Sequence, residues 1–447
     1  MILKRHYYTT NLKLAYPIIL SLICQSLVQV ADTLMVGRID AVSLAAVSFS
    51  GAIFNVALVL GIGMSMAITP LISQCYAQGK HRKIADYLAN GLVLNIAVSI
   101  IIVGVLLAII PLLDDFNQPQ EIIQAAKPYY IIMVLSLIPN QIFLCFKQFL
   151  EGVQNTKAAM AVIISANVLN IILNYIFIYG FMSIPAMGVF GAGLSSFVSR
   201  LLMPFVLFAF IRLKNRYYKY IKLIDANNIN PTVSTSILRI GIPISGQMTI
   251  ECFTFGILTF YFGWVSTKDM AAYQVVMTMV TMTFHVCVGL ANATTILVGF
   301  YAGKHDWAGV SQYAKTGLHL AIIFMSFTML CFILLGRNIA GLFSNDAQVI
   351  SIAARLFVAA GMFQLLDGSQ ATLLGALRGL KWVTRPMYYA FGCYLLISLP
   401  LAYIACFVVG LPSWSILAGF SLGMLSVALL YYRELSHVLK TKLAHHS

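Results

Sequence analysis

The chain has 447 residues, of which 60% are hydrophobic and only 9% are charged. A soluble domain is roughly 45–50% apolar and about 25% charged, so this composition excludes a soluble globular protein and indicates an integral membrane protein. The formal net charge of +14 lies mostly in the predicted loops, where it reports membrane topology and not nucleic-acid binding.

Twelve apolar segments, each roughly 20 residues long, follow one another along the chain, which is the length that crosses a bilayer as a helix. Lipid offers no partner for backbone N–H and C=O groups, so each segment is predicted to be a helix and the fold to be all-α. The predicted spans are 15–37, 44–71, 88–112, 129–150, 158–180, 188–211, 240–264, 270–299, 315–336, 352–376, 386–409 and 413–432.

Lysine and arginine are divided unevenly between the two sets of loops. With the N-terminus in the cytoplasm, 21 of them fall in cytoplasmic segments and 5 in outer loops. Short cytoplasmic loops carry the excess of positive residues in membrane proteins, so both termini are predicted to be cytoplasmic. Lys4 and Arg5 precede the first apolar run, but no small-residue cleavage site follows it. We therefore interpret that run as an uncleaved first helix.

The two halves of the chain resemble each other. LKLAYPI at 12–18 matches LRIGIPI at 238–244, and FLEGVQNTKAAM at 149–160 matches ALRGLKWVTRPM at 376–387. Each half holds six predicted helices, an even number, so both halves enter the membrane from the same side. This pattern predicts parallel repeats related by a pseudo-two-fold axis along the membrane normal, with the substrate site between them.

The longest hydrophilic stretch separates the sixth predicted helix from the seventh and divides the chain into two lobes. The predicted organisation is an N-terminal six-helix lobe at 1–212, a cytoplasmic linker at 213–236, a C-terminal six-helix lobe at 237–433 and a cytoplasmic tail at 434–447.

Three of the 14 acidic residues lie inside predicted spans: Asp32 in helix one, Glu251 in helix seven and Asp367 in helix ten. A charge at a helix centre costs about 2.5–3.5 kcal/mol on insertion scales. Burial favours the neutral carboxyl, so such a group can take up and release a proton. A pair of carboxylates with hydroxyl or amide oxygens can instead hold Na⁺. The alternative is that each acid only hydrogen-bonds a neighbouring helix.

The internal repeat does not conserve these acids. At the repeat offset, Asp32 corresponds to Leu258, and Glu251 corresponds to Gln25. One half thus has one membrane acid and the other has two, which indicates that the halves have different roles.

Polar and adaptable apolar residues accompany the acids. Three asparagines of helix five, spaced i, i+3 and i+7, share one helical face and either line a cavity beside Asp32 or bond a neighbouring helix. Met277 and Phe284 of helix eight form either a promiscuous apolar surface or plain packing. Arg200 in helix six either pairs with an acid or extends to the membrane surface. The cavity candidates are Asn167, Asn170, Asn174, Gln25, Gln29, Thr33, Gln247, Met277 and Phe284.

Together, these features resemble the multidrug and toxic compound extrusion (MATE) transporters over nearly the whole chain. The motifs that carry the resemblance are VADTLMVG in helix one, NIILNYIFIYG in helix five and LLDGSQATLLGALRG in helix ten. The acid in helix seven joins them, and its presence together with the helix-ten acid resembles the NorM-type branch.

The resemblance implies a V-shaped pair of lobes in the bacterial inner membrane that exports organic cations in exchange for H⁺ or Na⁺. By motif, Asp32, Asn170 and Asn174 match the ion or proton site of the N-terminal lobe. Glu251 and Asp367 match the cation site of the C-terminal lobe, where Na⁺ is a candidate ligand.

One position departs from the family pattern. Many NorM-type members have tyrosine one turn before the helix-ten acid, where this chain has Phe363. A hydroxyl ligand is missing there, which favours H⁺ as the coupling ion. Phe363 is expected in the substrate cavity, and Asp346 matches a position implicated in drug contact.

Three functions compete on these residues. An antiporter for amphipathic, mostly cationic compounds fits the negative cavity with aromatic and methionine walls. A flippase for lipid-linked oligosaccharides, from the same superfamily, would need cationic residues to meet a diphosphate, and only Arg200 offers one. An intramembrane enzyme would need a nucleophile–base pair or a metal set, and HExxH and GxGD motifs are absent. We expect a monomeric antiporter that uses no cofactor besides its coupling ion.

Overall fold

The computed structural model describes residues 4–116, 119–225 and 229–444. Within these ranges, twelve helices are long and apolar enough to cross a membrane, which confirms the predicted all-α membrane fold. In chain order they are α1 (Arg5–Gly37), α2 (Ala41–Ala77), α3 (His81–Ala108), α4 (Gln120–Gly152), α5 (Thr156–Tyr179), α6 (Gly188–Leu213), α7 (Pro231–Val265), α8 (Thr267–Gly303), α9 (Trp307–Phe343), α10 (Ala347–Gly379), α11 (Thr384–Val408) and α12 (Trp414–Ala444).

Several helices extend beyond their predicted spans. α1 begins at Arg5, ten residues before the predicted start, and α10 continues to Gly379, three residues past its predicted end. Hydropathy detects only the apolar part of a spanning helix, while the backbone hydrogen bonds continue into its polar ends. The extension of α10 matters for the site, because it makes Arg378 part of the helix.

Side chains cap several helices at their first turns, where backbone N–H groups have no partner within the helix. The Asp40 carboxylate accepts from the Ser43 N–H at 2.6 Å and begins α2. Ser266 accepts from the Asp269 N–H at 3.0 Å and begins α8.

Several helices depart from regular α geometry. α11 widens into π-helical turns at Gly392–Ser398 and Ile404–Val408. Isolated π-turns in α-helices are frequent at functional sites. α1 contains Pro17, whose ring removes one backbone hydrogen-bond donor inside the helix.

The chain forms two compact units whose boundaries differ from those of the predicted lobes. The first unit consists of Met1–Ile19 and Gly246–Ser447, and the second of Leu20–Ser245. The start of α1 therefore belongs with the second half of the sequence, and the start of α7 with the first half. Of the predicted linker and tail, 226–228 and 445–447 lie outside the described residues, and a short helix forms at Asn215–Ile221.

Contacts inside each unit explain this exchange. In the first unit, the Asn11 Nδ2 of α1 lies 3.5 Å from the Thr294 Oγ1 of α8, and a Cβ at Gly289 would meet Ile19. In the second unit, the Ser245 hydroxyl of α7 donates to the Leu60 carbonyl of α2 at 2.9 Å. The sequence repeat locates homologous segments, whereas packing decides which segments belong to the same compact unit.

The first unit is held by a large apolar core from α8, α10 and α12, with Tyr273, Phe357 and Phe420 nearly inaccessible to solvent. α8 and α10 approach each other closely at Gly375, where a Cβ would lie 2.4 Å from the Ala291 carbonyl oxygen. Small residues allow such close approach between membrane helices. This packing fixes the height and rotation of α10, which carries Asp367.

Candidate functional site

The second unit holds a hydrogen-bonded group that we name the Asp32 cluster: Asp32, Asn170, Asn174 and Ser195. Asp32 is half-buried on α1, and Asn174 on α5 is fully buried. The Asn174 amide donates to the Asp32 carboxylate, and the Ser195 hydroxyl of α6 donates to the Asn174 carbonyl. Three helices thus converge on a carboxyl whose immediate partner is neutral.

Asn170 joins the same cluster one turn away. With its amide turned so that both of its polar atoms are satisfied, Asn170 donates to Asp32 Oδ1 at 3.1 Å and accepts from the Ser196 N–H at 3.3 Å. Two amide donors then meet one carboxylate oxygen. This brings together Asp32, Asn170 and Asn174, the three residues that the family resemblance assigned to the N-terminal site.

Arg200 is half-buried near this cluster. Its guanidinium donates to the Ser136 hydroxyl at 2.7 Å and lies 4.9 Å above the centre of the Phe54 ring. Its charge also attracts Asp32. Its direct contacts are thus a hydroxyl and an aromatic face, and no ion pair joins it to an acid among the described residues.

The first unit contains a second group, which we name the acid-pair cluster: Glu251, Asp367, Gln247, Gln370 and Tyr394. Asp367 is only 4% exposed on α10, and Glu251 is half-buried on α7. The Gln370 amide donates to Asp367 Oδ1 at 3.2 Å and lies near Glu251. Glu251 and Asp367, the two acids that the sequence assigned to one cation site, therefore lie in the same cluster.

Glu251 accepts hydrogen bonds from two further helical neighbours. Gln247 Nε2, one turn earlier on α7, donates to Glu251 Oε1 at 3.2 Å, and the Tyr394 hydroxyl of α11 donates to the same oxygen at 3.4 Å. Gln247 is 1% exposed. The sequence placed it in the substrate cavity, whereas its contacts make it a partner of the membrane acid.

A cation also reaches this cluster. Arg378 Nη2, in the last turn of α10, donates to the Gln247 Oε1 at 3.4 Å. The topology count treated Arg378 as a loop residue, because the predicted span ended at residue 376. The longer helix turns its side chain towards Gln247.

Phe363, expected in the cavity, lies in the aromatic core of the first unit. It is 1% exposed, and its ring centre lies 6.1 Å from that of Phe255 and 5.7 Å from that of Phe420. The hydroxyl missing at this position is offset in part by Tyr394, whose hydroxyl reaches the acid pair from another helix.

The remaining cavity candidates lie outside both clusters. Gln25, Gln29 and Thr33 are exposed along one face of α1, with the Thr33 hydroxyl donating to the Gln29 carbonyl at 2.9 Å. Met277 packs against the core of the first unit, and Phe284 packs near Ala15. Asn167 has a buried amide nitrogen without a hydrogen-bond partner in the described part of the chain.

Asp346 is exposed in the connection before α10. Its carboxylate accepts from the Gln348 N–H at 2.8 Å, and Lys268 Nζ lies 3.5 Å away. The backbone hydrogen bond from Gln348, assisted by the Lys268 charge, lowers the pKa of Asp346 below its usual 3.8. These contacts describe a helix cap, and they leave the side chain accessible.

Sequence reasoning missed Ser195, Gln370, Tyr394 and Arg378. Gln370 had a signal, since it lies three residues after Asp367 and therefore on the same helical face. Ser195 and Tyr394 had none, because their helices approach the acids only in three dimensions.

The chemistry of these clusters suits a monovalent cation. They offer carboxylate, amide and hydroxyl groups, which can exchange protons or bind a hard cation through oxygen. Among the described residues there is no group of three or more His, Cys, Asp and Glu side chains that could hold a metal ion.

Comparison with known sequences gives a consistent result. A sequence model of the MatE family matches residues 17–176 and 243–404, and the two matches begin 226 residues apart, at the offset of the internal repeat. The probable multidrug resistance protein NorM of Idiomarina loihiensis is 31% identical over 420 residues, which cover 93% of this chain and 90% of that protein. The multidrug resistance protein NorM of Vibrio cholerae is 27% identical over 405 residues, which cover 90% and 87%.

Solved structures show the same fold. A eukaryotic MATE transporter superposes with a TM-score of 0.87 at 17% identity, covering 98% of both chains. A MOP superfamily transporter from Pyrococcus furiosus, for which reversed polarity of the binding pocket suggests a different function, has a TM-score of 0.87 at 20% identity. It covers 98% of this chain and 96% of its own.

Proposed function

Since this chain belongs to the MatE family of transporters and resembles its NorM-type members, we propose that it is a secondary antiporter. It exports amphipathic, mostly cationic organic compounds in exchange for a monovalent cation. The observation that carries the proposal is the acid-pair cluster, in which Asp367 accepts from Gln370 and the nearby Glu251 accepts from Gln247 and Tyr394, all inside membrane-spanning helices. A pair of carboxyls buried in a bilayer is costly unless it binds and releases a cation. The protein is a multi-pass transporter and not an enzyme.

We propose H⁺ as the coupling ion at both clusters, with Na⁺ as the alternative at the acid pair. Gln247 and Tyr394 direct N–H and O–H hydrogens at Glu251. Binding Na⁺ at that oxygen would require these donors to turn away, because a cation and a donor hydrogen repel each other. A proton can add to a carboxyl while the neighbouring heavy atoms stay in place. Phe363 also favours H⁺ over Na⁺, because its side chain has no oxygen that could bind a cation.

The proposed substrates are organic cations with apolar parts. Membrane carboxyls attract the charge of such compounds, and half-buried side chains such as Met277 and Phe284 can adapt to their apolar parts. The exposed polar face of α1 at Gln25, Gln29 and Thr33 supports an aqueous cavity beside that helix, because polar side chains in spanning segments avoid lipid. The curated NorM relatives carry multidrug resistance in their names, which supports the same substrate class.

The proposed location is the bacterial inner membrane, with both termini in the cytoplasm. The bacterial relatives support the membrane, and the excess of lysine and arginine in one set of loops supports the orientation. We propose a monomer as the working unit, since one chain carries both acid clusters.

Transport in proteoliposomes tests the function. Efflux of ethidium is measured under an imposed pH gradient without Na⁺, and then under a Na⁺ gradient at equal pH. We expect the pH gradient to drive efflux, and Asp32→Asn and Asp367→Asn each to lower its rate by at least about ten-fold. Asp114→Asn is the matched control, since Asp114 is an exposed acid paired with Lys127 at 2.9 Å. Full gradient-driven efflux in both membrane-acid variants would refute the proposal.

A further inference from the structure

Arg378 is a cationic side chain that contacts the acid-pair cluster. It is half-buried in the last turn of α10, and its Nη2 donates to Gln247. Its Nε is buried and has no hydrogen-bond partner among the described residues. A guanidinium at the membrane surface would donate its N–H groups to water or lipid phosphate. The Arg378 guanidinium instead contacts the interior of the first unit.

The hydrogen-bond polarity around Gln247 follows from Arg378. Arginine has only N–H donors, so Gln247 must present its carbonyl to Arg378 and its NH₂ group to Glu251. The Tyr431 hydroxyl donates to the Pro386 carbonyl at 3.1 Å and accepts from Gln247 at 3.3 Å, which agrees with this orientation. Arg378 therefore orients the Gln247 side-chain amide so that its NH₂ group donates to Glu251.

The charges of this cluster leave one carboxyl uncompensated. Arg378 and Glu251 attract each other electrostatically, whereas Glu251 and Asp367 repel. The other titratable neighbours of the pair are Tyr394, Tyr431 and Cys287, which are neutral in their ordinary state. Two carboxylates and one guanidinium sum to a single negative charge.

We propose that Arg378 is the fixed counter-charge of Glu251, so that the acid pair exchanges one monovalent cation, at Asp367. Arg378 acts as a positioning residue, through Gln247, and touches neither the cation nor the substrate. This inference rests on the proposed antiport function and specifies how many ions one of its two acid sites carries.

The internal repeat supports this assignment. At the offset that aligns 149–160 with 376–387, the counterpart of Arg378 is Glu151. Glu151 is also buried, at 2% exposure, and Lys147 one turn earlier lies 3.7 Å from its carboxylate. The equivalent position in the other half thus carries a buried charge that is balanced within its own helix. Only in the first unit is this position coupled to a membrane acid pair.

A four-protein cycle tests the charge count: the native chain, Glu251→Gln, Arg378→Gln and the double variant. Each is purified in nanodiscs and mixed with saturating ethidium. Displaced protons are counted with a pH indicator, and displaced ²²Na⁺ is counted in parallel. We compare the number of cations that ethidium displaces per protein molecule. Relative to the native chain, we expect this number to be one lower for Glu251→Gln, one higher for Arg378→Gln and unchanged for the double variant.

The double variant gives the sharpest result. Glu251→Gln alone should lose pH-driven ethidium efflux, and adding Arg378→Gln should restore at least about half of the native rate. An arginine that only held α10 in place could not produce this rescue. Arg378→Lys keeps the charge and should displace the native number of cations. Lack of rescue, or a lysine variant that behaves like Arg378→Gln, would overturn the inference, and the rescue can be scored even where Arg378→Gln alone does not fold.

Two further variants separate the inference from the function on which it rests. Arg385→Gln removes an arginine of the same unit that pairs with Glu434 at 3.0 Å, and it should leave the count unchanged. Asp367→Asn in an otherwise native chain should abolish cation displacement from the pair. Native displacement and efflux in Asp367→Asn would refute the antiport function at this site, whereas a loss there with no effect of Arg378→Gln would refute only the role of Arg378.

Discussion

Asn174 on α5 donates a hydrogen bond to Asp32 on α1, 142 residues away in sequence. The carboxyl therefore has a neutral amide as its direct partner, and its charge can change without breaking a salt bridge. Since Asn174 is itself held by Ser195, the geometry at Asp32 depends on a residue that does not touch the acid. The first prediction tests this dependence.

We expect Ser195→Ala to slow pH-driven ethidium efflux about three- to ten-fold. The variant removes the donor that orients the Asn174 amide, and a hydrogen bond of this kind contributes about 1 kcal/mol. Ser199→Ala is the control, because Ser199 is equally buried one turn later on α6 and its hydroxyl has no partner in the described chain. Equal rates in the two variants would show that Ser195 does not position Asn174.

We expect Phe363→Tyr to raise Na⁺-driven efflux relative to H⁺-driven efflux, by at least about three-fold. The new hydroxyl would stand one turn before Asp367 on the same face of α10 and offer an oxygen ligand. Phe420→Tyr adds a hydroxyl to another ring of the same aromatic group, on α12, and should leave the ratio unchanged. An unchanged ratio in Phe363→Tyr would mean that the absent hydroxyl does not set ion preference.

We expect the first turn of α10 to lose protection as the pH falls below about 4. The pKa of Asp346 is lowered in the folded protein, so its contribution is present above the unfolded value of 3.8 and is lost as the pH falls through the folded pKa. Hydrogen exchange at Gln348 and Val349, corrected for intrinsic rates, reports this change. Asp346→Asn keeps a capping side chain that does not titrate. The hypothesis fails if that variant shows the same acid-dependent loss.

We expect Gly375→Ala to lower the apparent melting temperature of the purified protein by several degrees. Its Cβ would overlap the Ala291 carbonyl oxygen, forcing α8 and α10 apart at a cost of roughly 1–3 kcal/mol. Gly341→Ala on α9 is the control, because no atom lies within 4 Å of its added Cβ, and helix propensity favours alanine. A melting temperature as high as that of the control would contradict the close packing of α8 and α10.

Much of the fold was predictable from sequence. The twelve spans are confirmed, as is the resemblance to MATE transporters, because apolar length and the motifs of α1, α5 and α10 are local properties of the chain. The boundaries of the two compact units could not be predicted from the sequence. Pro17 and Pro243 occupy equivalent repeat positions, but the repeat carries no information about which helix ends pack together.

The asparagines of α5 show what periodicity can and cannot reveal. The i, i+3, i+7 spacing correctly gave Asn170 and Asn174 a shared face towards Asp32. Asn167 lies on that face too, but it is seven residues from Asn174, or about 10.5 Å along the helix axis. The spacing of residues predicts the direction in which their side chains leave the helix. The position of Asp32 along the axis of α5 depends instead on how the neighbouring helices pack.

The sequence by itself determined that this is a twelve-helix membrane transporter and that Asp32, Glu251 and Asp367 are its membrane acids. The helices and the membrane acids follow from apolar length and from the cost of placing charge in lipid, which each residue incurs on its own helix. The transport function follows from the resemblance of the motifs in α1, α5 and α10 to MATE transporters. Only the tertiary structure decided the partners: Ser195 behind Asn174, Tyr394 and Gln370 on the acid pair, and Arg378 acting through Gln247. Hydrogen bonds between helices require two side chains at the right height and rotation, and those quantities arise from packing of the whole unit.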